Sequence, residues 1–159
     1  MYIINYEDIE SKIIIIRDMQ VILDRDVAIL YGVTTKEVNQ AVSNNVNKFI
    51  EGYVIEINEE DKNELVKNFD RFKTLKHSTV CPKAFSEKGL YMLATILKSS
   101  NATEATIAVI ETFAKIRQLT KTIKDLSSVQ DKDCRNDLMQ RSGEIFSDIL
   151  DDGFETTGT

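Results

Sequence analysis

The apolar positions near the start of the chain fall into two short β-branched runs. Ile13–Ile16 and Val21–Leu23 are separated by four mostly polar residues, and this spacing predicts a β-hairpin. Asp24 follows at once, and its carboxylate can accept backbone N–H groups at a helix start. We expect a short helix from there to about Tyr31. Gly32 is expected to end it, because glycine tolerates the left-handed conformation found at many helix ends.

Two later helices are predicted from the residues at their N-termini. Thr34 and Glu37 have the spacing of a capping box, in which each side chain satisfies a backbone N–H group of the first turn. The helix that they begin is expected to continue to about Lys48. Asn58 is followed by three acidic residues, which the helix dipole favours at this end, and that helix is expected to end near Phe69.

The remaining elements are predicted from shorter apolar runs and from hydroxyl caps. Tyr53–Ile57 and Thr79–Cys81 are predicted as strands. Helices are predicted over residues 86–97, capped by Ser86, and over residues 101–126, the longest of them. The whole pattern predicts an α+β fold: a small domain with an N-terminal β-hairpin, a helix-turn-helix, short strands and a long C-terminal helix.

The domain organisation follows the change in composition near the end of that helix. Residues 1–126 are expected to form one domain, and residues 127–159 an acidic linker, a short amphipathic helix and a disordered tail. The amphipathic helix is placed at residues 144–151, where its apolar side holds Ile145, Phe146, Ile149 and Leu150. It is too short to be stable alone, so we expect it to dock on its own domain or on a partner.

Charge is divided unevenly along the chain. The net charge is −6 in total. Residues 127–159 contain 3 basic and 8 acidic side chains, whereas residues 1–126 contain 17 and 18. The first 126 residues are therefore nearly neutral and can hold a local basic face.

No membrane, cofactor or metal function is predicted. No apolar run approaches the roughly 20 residues of a membrane span, and the first residues lack a signal-peptide pattern, so a cytoplasmic protein is expected. Cys81 and Cys134 lack metal-site spacing, and His77 is the only histidine. We expect no enzyme activity.

The segment 25–42 has the residue pattern of a helix-turn-helix. Ala28 supplies the small residue where two helices cross, and Gly32 supplies the turn between them. Apolar residues stand at the inner positions of both helices: Val27, Leu30 or Tyr31, Val33, Val38, and Ala41 or Val42.

The outer face of the second helix is predicted to contact duplex DNA. Its side chains are short and polar, unlike the Glu/Lys pairs of an ordinary solvated helix. Amides can pair with adenine in the major groove, and Thr, Ser and Lys can hold phosphates. The predicted DNA-binding residues here are Thr34, Thr35, Lys36, Asn39, Gln40, Ser43 and Asn44. The alternative is a packed helical hairpin with a polar outer face.

A second basic cluster is predicted at Arg71, Lys73 and Lys76, with His77 beside them. These side chains can grip phosphates next to the groove that the helix enters. The alternative is a solvated loop.

The long helix carries an apolar stripe with 3/4 spacing, which can pair two helices in a coiled coil. The stripe consists of Val109, Thr112, Ile116, Leu119, Ile123 and Leu126. The N-terminal half is apolar over a wider arc, with Ile107, Ile110 and Phe113 on other faces, so we expect it to be core. The C-terminal half (Ile116, Leu119, Ile123 and Leu126) is expected to be the seam of a homodimer. Burial against the same chain's core is the alternative.

Two separated blocks of the sequence resemble the Orf-six-N domain family, which is related to the KilA-N domains of phage antirepressors. The blocks include Val21–Ala28, Leu30–Val33, Val38–Val42 and Ala84–Ala94, and the resemblance extends over roughly residues 8–126. It implies an α+β DNA-binding domain without catalysis, found in phage and prophage regulators. The chain departs from the family pattern at Asp18, where glycine is frequent, and at Phe49–Tyr53, which replaces Phe-Pro-x-x-Phe.

These observations predict sequence-specific binding of duplex DNA by a phage- or prophage-type transcriptional regulator. A second hypothesis is an antirepressor-like module that binds another regulatory protein, through the C-terminal tail, and has weak or no DNA affinity. A nuclease is a third, but the acidic residues are not clustered with the single histidine, His77. No membrane partner is expected.

Overall fold

A computed structural model describes residues 6–128, 136 and 139–148 of the chain. The chain divides into two units, one of residues 12–103 and one that combines residues 1–11 with 104–159. The first unit contains a four-stranded antiparallel sheet. Its strands are β1 (Ile14–Ile16), β2 (Met19–Leu23), β3 (Val54–Glu56) and β4 (Lys83–Ser86), in the spatial order β1-β2-β4-β3.

Helices account for most of the other elements. They are α1 (Tyr6–Glu10), α2 (Asp24–Tyr31), α3 (Thr35–Ser43), α4 (Glu59–Asn68), α5 (Glu87–Ala94) and α6 (Ala102–Ser128), with 3-10 helices at Val46–Lys48 and Asp70–His77. The predicted α+β class, with its N-terminal hairpin and long C-terminal helix, is confirmed.

The hairpin has a tighter turn than predicted. Arg17 and Asp18 alone connect β1 to β2, with φ angles of 51° and 62°. Two successive residues with positive φ are typical of the turn that matches the twist of a two-residue hairpin. Asp18, which departs from the family's glycine, accommodates this conformation because aspartate tolerates it better than most residues. The Arg17 side chain is also bound, to the Asp61 carboxylate and the Glu56 carbonyl.

The sheet lies between two helical layers of the first unit. On one face, residues of β1, β2 and β4 pack with α4 and the Asp70–His77 helix in a core of Ile14, Ile16, Val21, Leu23, Ile57, Leu65, Phe72, Leu75 and Ala84. Ile22 and Phe85 alternate with these residues and are buried on the other face, where α2 contacts β2 and α5 contacts β4. The opposite burial of successive strand residues follows from the two-residue period of a strand.

Two strand predictions need correction. Thr79–Cys81 is not a strand: the described strand is Lys83–Ser86, and Val80 is 72% exposed. Pro82 separates the two segments and accepts a hydrogen bond from Ile57 N through its carbonyl. The strand predicted at Tyr53–Ile57 is shorter, Val54–Glu56.

Two helices end earlier than predicted, because polar side chains compete for their last carbonyl groups. α3 ends at Ser43 rather than Lys48, where the Asn45 amide donates to the Ala41 carbonyl at 2.8 Å. α5 ends at Ala94 rather than Leu97, where Thr95 Oγ1 donates to the Met92 carbonyl at 2.7 Å.

At the other boundaries the structure differs from the predictions by a few residues. Asp24 is the first residue of α2 rather than the cap before it, and its carboxylate accepts the Arg25 N–H. α6 includes residues 127 and 128, which were assigned to the linker. Residues 139–148 are helical, so the amphipathic helix begins earlier than 144. The rest of the predicted linker (except residue 136), residues 149–151 and the predicted disordered tail lie outside the described residues.

Gly89 allows the first turn of α5 to lie against the backbone of Gly52 and Tyr53, just before β3. The Ser86 hydroxyl accepts from Gly89 N at 3.3 Å, as predicted for a cap, and donates to the Gly52 carbonyl at 2.6 Å. A Cβ atom at Gly89 would collide with the Tyr53 carbonyl oxygen. Because that neighbour is backbone, which cannot rotate away, only glycine fits this position.

We expect Gly89→Ala to lower the free energy of unfolding by about 3 kcal/mol, because the added methyl group overpacks a backbone contact. Gly143→Ala is the matched control, since no atom lies within 4 Å of its added Cβ. The control should be neutral or slightly stabilising, because alanine favours a helix over glycine. Urea denaturation followed by circular dichroism measures both, and equal stabilities would contradict the close approach at Gly89.

Candidate nucleic-acid interface

α2 and α3 are joined by a turn of three residues, and the turn depends on Gly32. This residue has φ +68°, and its backbone N–H, with that of Val33, bonds the last carbonyls of α2. A Cβ atom here would lie 2.8 Å from Asn101 Nδ2. The positive φ therefore favours glycine, and a larger residue would also require the end of the Asn101 side chain to move.

α3 begins with the predicted capping box. Thr34 Oγ1 accepts from Glu37 N at 3.1 Å, and Glu37 Oε2 accepts from Thr34 N at 3.4 Å. The Thr34 hydroxyl is therefore engaged at the helix start, although this residue remains exposed. The box fixes the first residue of α3 and with it the direction in which each later side chain points.

The outer face of α3 collects four of the predicted DNA-binding side chains. Lys36, Gln40, Ser43 and Asn44 are exposed, at spacings that place them on one side of a helix. The Ser43 hydroxyl donates to the carbonyl of Asn39 at 3.0 Å. The opposite face is buried through Val38, Ala41 and Val42.

Thr35 and Asn39 lie at the edge of this face and are half-buried. The Asn39 amide points toward α2, where its Nδ2 donates to Asp24 Oδ2 at 3.2 Å. Its Oδ1 is buried and accepts no hydrogen bond from the residues that the structure describes. The base-reading role of Asn39 remains a prediction. Its amide nitrogen is hydrogen-bonded and its amide oxygen is buried, whereas the Gln40 side chain is exposed.

The predicted basic cluster is a 3-10 helix rather than a loop, and Arg71 joins it to α2. Arg71 Nη1 lies 2.9 Å from the buried Asp26 carboxylate. The guanidinium groups of Arg71 and Arg25 lie 4.1 Å and 4.9 Å from the centre of the Phe72 ring, within the range of cation–π attraction. Arg25 also donates to the Arg71 carbonyl and to the Thr74 hydroxyl.

The other cluster members are exposed. Lys73 lies 3.1 Å from Asp70, and both side chains are largely in solvent, where an ion pair contributes little. Lys76 has no ion-pair partner within the described part of the chain, and His77 is exposed. The structure therefore separates Arg71, which is anchored, from Lys73 and Lys76, which extend outward.

Residues 11–96 match the family model of the ORF6N domain. The chain belongs to the ORF6N domain family, which is the Orf-six-N family that the sequence resembles. The match spans β1 to α5 and so includes α2, α3 and the Asp70–His77 helix. It is shorter than the resemblance over residues 8–126 and excludes α6; the relationship to KilA-N domains remains a prediction. No curated protein and no solved structure matches the chain.

Sequence reasoning missed two basic side chains of the ORF6N domain, Lys83 and Arg25. Lys83 of β4, with Val42 and Ser43, lines a cavity of about 300 Å³ at the end of α3. Arg25 lies in the first turn of α2, where the helix dipole disfavours a cation. Its partners Thr74 and Arg71 lie 49 and 46 residues away, so no local pattern in the sequence pointed to these contacts.

α6, beyond the ORF6N match, is buried at its start and increasingly exposed toward its end. Val109, Thr112 and Phe113 are buried. Ile107 and Ile110 were expected in the core, but they are 55% and 44% exposed. They lie on the side of the helix away from the apolar stripe that begins with Val109 and Thr112. Along the predicted seam Ile116, Leu119 and Leu126 are half-buried and Ile123 is 48% exposed.

No helix in the described ranges is long and apolar enough to span a bilayer.

We expect Arg71→Ala to lower the free energy of unfolding by about 2 kcal/mol, because it leaves the buried Asp26 carboxylate without its partner. Solvent screening at the Arg71 side chain, 38% exposed, keeps the loss below that of a fully buried pair. Lys73→Ala is the matched control and should change stability by less than about 0.5 kcal/mol. Urea denaturation measures the free energy of unfolding of both variants. A loss in Arg71→Ala no larger than the loss in Lys73→Ala would show that the ion pair of Arg71 with Asp26 does not stabilise the fold.

Proposed function

We propose that this ORF6N protein binds duplex DNA, with α2 and α3 acting as a helix-turn-helix and α3 entering the major groove. The observation that carries the proposal is the outer face of α3. Lys36, Gln40, Ser43 and Asn44 are exposed together, while the inner face is anchored by buried apolar residues. Such a face combines amides that can pair with base edges and a cation and a hydroxyl that can hold phosphates.

The dimensions of α3 are compatible with this role. It is a regular α-helix of nine residues, and an α-helix with its side chains has a diameter of about 10–12 Å, which the roughly 12 Å wide major groove admits. Gln40 stands in the middle of the exposed face, so its amide is best placed for bidentate pairing with adenine. Lys36 lies one turn before it, where it can hold a phosphate of the groove wall, and Asn44 lies one turn after it, where its amide can reach a further base edge.

Lys73 and Lys76 provide a second phosphate contact in this proposal, since their side chains extend from the 3-10 helix that is joined to α2. The proposed activity is binding rather than catalysis. The buried carboxylates of Asp24 and Asp26 are engaged in hydrogen bonds, and the single histidine is exposed. The protein would act in the cytoplasm as a phage- or prophage-type regulator.

A homodimer through the end of α6 would complete the proposal. Ile116, Leu119, Ile123 and Leu126 repeat at heptad spacing. The hydroxyls of Thr120 and Thr122, beside this stripe, donate to carbonyls of their own helix at 2.9 Å, which leaves a less polar flank. A two-fold pair would present two copies of α3 to half-sites about 34 Å apart.

The second candidate function is an antirepressor-like module that binds a regulatory protein and has little DNA affinity. Two observations favour it: the net charge of −6, and the ion pairs that neutralise Arg71 and Lys73. In this alternative the C-terminal region would contact the partner, and Phe146, which is half exposed in the helix over 139–148, would be one of its contacts.

The DNA proposal predicts different effects for Gln40→Ala and Lys36→Ala. Gln40→Ala should lose about 1–3 kcal/mol of affinity for a preferred site selected from a random pool, with little change on a scrambled duplex. Lys36→Ala should weaken both duplexes equally and reduce the salt dependence of binding by about one phosphate contact. Fluorescence anisotropy titrations at several salt concentrations measure both effects.

Lys67→Ala is the matched control for these titrations. Lys67 is exposed on α4 and belongs neither to the outer face of α3 nor to the cluster at Arg71, Lys73 and Lys76, so its loss should leave DNA affinity nearly unchanged. Absence of binding by the wild-type chain even at the lowest salt concentration would refute the DNA proposal and support the protein-binding alternative.

The dimer proposal predicts that Ile116→Asp with Ile123→Asp dissociates the pair, because two carboxylates would enter each side of an apolar seam. Ile107→Asp with Ile110→Asp is the matched control, since these exposed residues lie off the stripe. Light scattering reports the mass and circular dichroism the helix content. A monomeric wild-type chain, or a seam variant that unfolds, would instead assign the stripe to the fold of the single chain.

A further inference from the structure

We infer that Asp24 is a positioning residue for α3 and acts through Asn39, so that the pair sets the orientation at which Gln40 meets DNA. This inference rests on the proposed function. The Asp24 carboxylate is buried and accepts hydrogen bonds from three elements. Oδ1 accepts from Arg25 N of α2 at 2.7 Å, and Oδ2 accepts from Asn39 Nδ2 of α3 and from Lys83 N of β4, each at 3.2 Å.

The bond to Asn39 constrains α3 in a way that its apolar contacts do not. Val38, Ala41 and Val42 hold the helix by burial, which has no preferred direction. A charge-assisted hydrogen bond is directional and strong. Rotation of α3 about its axis would redirect every side chain on its surface, so even a small rotation would move the Gln40 amide off the base edge.

The state of the Asn39 amide supports positioning rather than base reading. Bidentate pairing with adenine needs both amide atoms, the nitrogen as donor and the oxygen as acceptor. Here Nδ2 is bound to Asp24, and Oδ1 is buried from solvent. Gln40, the next residue, is exposed, so the two amides have different roles: Asn39 faces the protein and Gln40 faces outward.

Asp24 can serve as a fixed point because the side chains of the next two residues also have partners. Arg25 bonds the Arg71 carbonyl and Thr74, and Asp26 pairs with Arg71. Three consecutive residues thus connect the start of α2 to α3, β4 and the Asp70–His77 helix. These hydrogen bonds would hold α3 in one orientation on DNA, as a precise binding site requires.

The test compares Asp24→Asn, Asn39→Ala and the double variant on the selected site and on a scrambled duplex. We expect each single variant to lower the preference for the selected site about tenfold, with scrambled-site affinity nearly unchanged. The double variant should lose no more than the more damaging single variant, because both remove the same interaction. Asn58→Ala, which removes the N-cap of α4, is the control for a loss of stability alone and should keep the preference.

Amide hydrogen exchange provides a readout that does not need DNA. Both single variants should speed the exchange of α3 amides about tenfold while α4 amides keep their rates, and Asn58→Ala should show the reverse. If Asp24→Asn fails to fold, Asn39→Asp replaces it, because it sets a second carboxylate against Asp24 and leaves the acceptor for Lys83 N in place.

Three results would overturn the inference: an unchanged preference in Asp24→Asn, additive losses in the double variant, or α3 amides that exchange at wild-type rates. Failure of the wild-type chain to bind any duplex would refute the proposed function only. Hydrogen exchange would then still decide whether Asp24 and Asn39 hold α3.

Discussion

A carboxylate taken out of water is costly unless hydrogen bonds and opposite charges replace its hydration, and α2 begins with two such groups. Asp24 and Asp26 are buried at the first and third positions of the helix. α2 alone cannot satisfy them. The missing donors come from residues distant in sequence: Asn39, Arg71 and the backbone N–H of Lys83. The need to satisfy these charges therefore places α3, the Asp70–His77 helix and β4 around α2.

The sheet supplies the second constraint, because different helices pack on its two faces. One face is closed by α4 and the 3-10 helix through Leu65, Phe72 and Leu75. The other face holds Phe85 and the helices that present the candidate interface. Phe72 joins the core on the first face to α2, since its ring is buried among the core residues and also lies under the guanidinium groups of Arg25 and Arg71. The orientation of the outer surface thus depends on the packing beneath it.

Features with a local cause were predictable from the sequence, whereas those with a distant cause were not. The capping box at Thr34 and the acidic helix start at Asn58 involve residues no more than three apart, so both patterns are visible in the chain. Lys83–Ser86 has no strand-like pattern of its own and becomes a strand because it pairs with β2 and β3. The inward turn of Asn39 was missed for the same reason. A helical projection places it at the edge of the outer face, and only its partner 15 residues earlier decides where it points.

The order of the strands has a consequence for how the chain reaches its native state. β4 is the last strand in the sequence, yet it lies between β2 and β3, which do not pair with each other. Val21 pairs with Ser86, 65 residues away, so the sheet closes only after a long, slow search of the kind that delays folding of non-local topologies. During synthesis on the ribosome, β2 and β3 must wait with unpaired edges until Ser86 has emerged. Unpaired edges of this kind are sites at which nascent chains aggregate or recruit chaperones, and the free edge of β2 is exposed to that risk while the 63 residues from Asp24 to Ser86 are synthesised.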